Sequence, residues 1–155
     1  MHIRLPFRVL VIAGLAVLAS GQHAVSGLER TPPGQASTKT VRDQVYTEEQ
    51  ATRGRRSYET QCESCHLENL RGDGYAPALA GLDFSIAWTG RTVGDLFDSI
   101  ATTMPQEEPG SLTAQVYIDI VAYLLQKNHM AAGDAELLPD AERLQQISIT
   151  ERPEG

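Results

Sequence analysis

Cys62-Glu63-Ser64-Cys65-His66 is the stretch that decides the fold, and it contains the only two cysteines of the 155-residue chain. On one turn of helix, two thiols three positions apart can each add across a vinyl group on one edge of a porphyrin. The next residue then projects an imidazole under the iron. The string C-x-x-C-H is therefore read as an attachment site for a c-type haem, covalently bound through Cys62 and Cys65, with His66 as the proximal iron ligand. Two other readings are weaker. A reducible Cys62/Cys65 pair of the thioredoxin type needs a βαβ surround, and no strand-helix-strand alternation is visible. A closed zinc site needs a fourth ligand at workable spacing, and there is no second cysteine pair.

Haem attachment of this kind takes place outside the cytoplasm, and the N-terminus supplies a route. Arg4 and Arg8 form a basic segment, Val9 to Ala19 is apolar, and the small residues Ser20 and Gly21 follow. This pattern predicts a secretory signal over 1–21, with cleavage as late as residue 26 the alternative. The eleven-residue apolar run is short of the ~20 residues that span a bilayer, so a retained anchor is the less favoured outcome. The expected location is periplasmic. Without residues 1–21 the chain keeps 11 basic residues against 20 acidic ones, near −9. That balance excludes nucleic-acid binding. It suits a partner with a positive docking surface, and it equally describes an ordinary solvated exterior.

Working outward from the motif, residues 22–44 contain Pro32, Pro33, Gly34 and a Ser/Thr run, and are expected to be a flexible leader. The domain is placed at 45–130. A core of that size is marginal by itself, and a buried macrocycle would complete it. Thr47 with Gln50 reads as a capping box, and Glu48 and Glu49 favour the positive end of a helix running into the Cys62 region. Thr92 with Asp95 repeats the pattern for a helix from Val93 to about Thr102. Thr113 to Lys127 has a broad apolar face, and Asn128 is a fitting end. No strand is convincing. Residues 131–155 are expected to pack over the domain through a short helix at about Asp140 to Gln146, with the last residues frayed.

Beyond the attachment string, Asp119-Ile120-Val121-Ala122-Tyr123-Leu124 looks like the terminal helix of monohaem class I cytochromes c. Gly54 and Tyr58 match the first-helix positions that such a helix packs against. The resemblance implies an all-α fold of about three to five helices wrapped around one haem c. It also implies Met104, 38 residues after His66 and followed by Pro105, as the sixth iron ligand. A thioether opposite an imidazole raises the reduction potential and closes the iron to small molecules. His129 and Met130 are the competing ligands. The resemblance further implies that the carbonyl of Pro77 accepts the second ring N–H of His66, and that Trp88 and Arg91 donate to the haem propionates.

The wider phrase from Trp88 through Gly90-Arg91-Thr92, Asp95-Leu96-Phe97 and Thr103-Met104-Pro105 to Pro109-Gly110-Ser111-Leu112 resembles the cytochrome subunits and domains that accompany quinoprotein dehydrogenases. It implies an electron carrier that accepts electrons from a dehydrogenase and passes them towards a respiratory acceptor. A permanent subunit of an oxidoreductase differs only in the lifetime of association. A ligand-binding or sensing haem protein would need an open sixth position. No separate cluster of acid, base and nucleophile suggests an enzyme site.

Overall fold

The computed structural model describes residues 39–151, so the expected secretory signal at 1–21 lies outside the described residues. Two helices carry the architecture. Helix α1 (Glu48–Gln61) starts at Thr47, whose hydroxyl accepts the N–H of Gln50 at 3.1 Å. Only half of the expected capping box forms. The Gln50 amide is fully buried and turns instead to Leu137, donating to its carbonyl and accepting its N–H, both at 2.8 Å. A paired backbone partner in the C-terminal extension outcompetes the local cap.

A one-turn helix α2 (Glu63–His66) follows, then α3 (Leu82–Trp88) and α4 (Val93–Thr103). At α4 the full capping box is present between Thr92 and Asp95. Helix α5 (Ala114–Lys127) starts on the Thr113 hydroxyl and ends at Asn128, and α6 (Ala141–Leu144) is capped by Asp140. The all-α architecture therefore stands, with six helices among the described residues, two of them single turns.

Helices α1 and α5 cross with their backbones in contact. A Cβ at Gly54 would overlap the carbonyl of Asp119, so only glycine fits there. One turn further on, Tyr58 packs against Tyr123 with ring centroids 5.3 Å apart at 50°. Polar groups seal the other side of the crossing. The buried Asp119 carboxylate accepts from Arg53 at 2.9 and 3.0 Å, from Gln115 at 2.8 Å and from Gln50 at 3.2 Å.

The buried apolar residues form two clusters. The larger joins Val41, Tyr46, Phe84, Val93, Leu96, Ile118 and the extension residues Leu144 and Ile149; the smaller joins Tyr58, Leu70, Ile120, Tyr123 and Leu124.

Two expectations change. Residues 39–44 are folded rather than part of a leader: Val41 is fully buried and its N–H donates to Ser148 at 3.0 Å. A two-residue parallel pair, β1 (Lys39–Thr40) with β2 (Ile147–Ser148), accompanies it. Neither strand is long enough to show alternation, and the partners lie more than a hundred residues apart, so no local pattern announces them. The extension packs closely. Leu137, Leu144, Ile147 and Ile149 are all buried.

Candidate functional site

The attachment motif sits where α1 gives way to α2. The N–H groups of Cys65 and His66 both donate to the Cys62 carbonyl, at 3.2 and 2.9 Å. This single turn puts positions i, i+3 and i+4 on one side, and all three side chains line one cavity of about 600 Å³. Both cysteines are half-buried, and they are not joined to each other in a disulfide. Burial, and then the neighbouring Cys65, pushes the Cys62 thiol up to about 11.

His66 is 6 % exposed. Its Nδ1 lies 2.9 Å from the Pro77 carbonyl, the contact expected for an oriented metal-ligating imidazole, in which Nδ1–H donates. With Nδ1 so engaged, Nε2 has no protein partner among the described residues and is the nitrogen left to bind a metal.

The loop that carries Pro77 is built in detail. Leu67 and Leu70 both have positive φ, at 63° and 59°, a sparsely populated conformation that costs non-glycine residues about 1–3 kcal/mol each. Compensating contacts hold them. The Tyr58 hydroxyl donates to the Leu67 carbonyl at 2.6 Å, and the Leu70 side chain is fully buried. Gly72 donates to the His66 carbonyl at 3.0 Å, and a Cβ there would strike the Ala76 carbonyl. The Asp73 carboxylate accepts the N–H groups of Tyr75 and Ala76, both at 2.9 Å. These bonds, first Ala76 and then Tyr75, hold its carboxyl below the usual 3.8.

From the end of α5, Asn128 donates to the Leu79 carbonyl at 3.0 Å and accepts the Gly81 N–H at 3.0 Å. The sequence marks Asn128 as a helix end. Its second task, pinning the loop after His66, depends on a contact 47 residues away and left no local signal.

Met104 is the C-cap of α4 and lines the same cavity, together with Pro105. Ile120 and Leu124 of α5 add apolar side chains to the lining of the same cavity. The competing ligands are elsewhere. Met130 is buried in the larger cluster, where its carbonyl accepts the Tyr46 hydroxyl, and His129 is exposed; neither lines the cavity.

Trp88 lines the cavity, whereas Arg91 does not. The Arg91 guanidinium lies 4.5 Å from the Trp88 ring centroid and 3.9 Å from the Asp95 carboxylate. The structure thus brings the two together as a stacked pair, with only the indole facing the cavity.

Two reduced thiols, a buried imidazole with one nitrogen already engaged, a thioether and apolar walls are a donor set that suits a covalently attached haem. The volume falls in the usual ~300–1,000 Å³ range of ligand sites. No curated protein and no solved structure matches the chain. A family model described as cytochrome c oxidase, cbb3-type, subunit III, matches residues 49–124, from the first turn of α1 almost to the end of α5. The match supports a cytochrome c domain over that segment, of the monohaem class I kind, and such a domain implies one covalently bound haem c as cofactor.

Proposed function

We propose that the protein is an exported one-electron carrier whose haem is bound through Cys62 and Cys65 and ligated by His66 and Met104. The observation that carries this reading is the convergence of all four side chains on one apolar cavity, with the Pro77 carbonyl on His66 Nδ1. The bound iron supplies a ferrous/ferric couple. The chain's own residues do the rest. Pro77 fixes the ring plane of His66 and makes Nε2 a stronger donor. Met104 would offer its thioether as the second protein ligand of the bound iron, which would favour the reduced state and exclude small molecules. Leu124 and Ile120 keep water from the wall of the cavity, which limits solvent rearrangement when charge changes.

The donor in this reading is a dehydrogenase, a quinoprotein type by the likeness of the phrase from Trp88 to Leu112, and the acceptor is a respiratory protein. Leu82 and Ile86 support contact with a protein partner. Each is 73 % exposed on α3, beside the cavity-lining Asp83 and Ala87. The basic and apolar N-terminus supports export to the periplasm.

The test is an optical spectrum of the oxidised, purified protein. Methionine ligation gives a weak band at the red end that disappears in Met104→Ala, while the haem stays covalently attached. A red-end band unchanged in Met104→Ala assigns the ligand to another residue.

A further inference from the structure

We propose that Tyr117 is a positioning residue for Met104, its phenolic oxygen closing the loop between α4 and α5 and so holding the thioether towards the cavity. The inference rests on Met104 being the sixth ligand. Tyr117 stands in the first turn of α5 and is 3 % exposed. Its hydroxyl donates to the Met104 carbonyl at 2.7 Å and accepts the Leu112 N–H at 3.3 Å. One buried oxygen therefore ties together the two ends of the loop.

Apart from Leu112, whose half-buried side chain packs against the smaller cluster, the loop has little else to hold it against α5. Glu108 to Pro105 at 3.0 Å and Ser111 to Glu108 at 3.2 Å are local turns, which shape the loop without placing it. The Met104 carbonyl has one further donor, Gly110, at 3.3 Å and also within the loop. Residues 106–111 are all exposed and contribute no apolar anchor. Tyr117 is by contrast rooted in the packed helix, whose first turn is fixed by the Thr113 cap. Its ring cannot follow the loop outward, so the bond resists any movement that carries Met104 away.

The closing experiment compares wild type with Tyr117→Phe and Tyr46→Phe, all loaded with haem. Tyr46→Phe is the control for simple loss of a buried hydroxyl bond, since Tyr46 donates to Met130 in the other cluster. Cyanide binding to the oxidised protein is measured, with amide exchange at Leu112 and the red-end band. Loss of one net hydrogen bond predicts cyanide binding roughly five- to tenfold faster in Tyr117→Phe, with faster exchange at Leu112. Tyr46→Phe should bind cyanide at the wild-type rate. An unchanged cyanide rate in Tyr117→Phe, or an equal rise in Tyr46→Phe, overturns the inference while leaving ligation by Met104 in place. A wild-type protein without the red-end band overturns both.

Discussion

The two loops that flank the cavity are built to different standards. The loop after His66 is secured at many points: by Tyr58 on Leu67, by Gly72 on the His66 carbonyl, by the Asp73 turn, and by Asn128 on Leu79 and Gly81. The loop after Met104 is mostly exposed; one phenol hydrogen-bonds both its ends to α5, and Leu112 adds an apolar contact to the smaller cluster. The rigid side holds His66, the proposed ligand that comes with the covalent attachment. The lightly held side carries Met104, the proposed sixth ligand, whose detachment would open the iron. Hydrogen bonds to fixed elements set this asymmetry, and burial runs the same way, with His66 buried and Met104 half-buried.

The largest effects should come from the attachment turn. Cys62→Ser or Cys65→Ser should stop or sharply reduce haem incorporation, and His66→Ala should abolish the low-spin spectrum; normal haem protein from the His66 variant would remove it as a ligand. Met104→Ala should leave the haem attached, lower the potential and admit carbon monoxide. The comparison breaks if the His66 and Met104 variants behave alike.

Asn128→Ala comes next. It leaves the carbonyl of Leu79 and the N–H of Gly81 without their side-chain partner, which should cost about 1–3 kcal/mol in unfolding. Protection should fall at Gly81 before Leu112, as followed by amide exchange. The smallest effect is electrostatic. The Asp73 carboxyl is held below 3.8 in the fold, so its contribution is present above that value and lost as pH falls through the folded value. Asp73→Asn should make the melting temperature less sensitive to acid between about pH 6 and about pH 3. Equal sensitivity in the two proteins would show that the turn carries no such linkage.

Strong local patterns made most of the fold legible in the sequence. Thr92 with Asp95 located α4, Thr113 to Asn128 bounded α5, and Gly54, Tyr58 and Tyr123 told where the helices cross. The cavity residues Cys62, Cys65, His66, Pro77 and Met104 follow from the attachment string and the family resemblance of the sequence around it. Helix α3 was not legible, because it opens on Gly81 without a side-chain cap and exposes Leu82 and Ile86, burying only Phe84. Nor was the folding of residues 39–44, where one buried valine finds partners more than a hundred residues later. Tyr117 was hidden for a different reason. A tyrosine on an apolar helix face looks like packing, and only the position of its hydroxyl shows the loop that it holds.

Covalent attachment at Cys62 and Cys65 is the claim on which the cavity, the ligands and the electron-carrier reading all depend. The most direct test is the intact mass of the protein, produced in a host that matures c-type haem and measured after denaturation. A polypeptide that retains the mass of one haem agrees with attachment; a mass equal to that of the bare chain contradicts it.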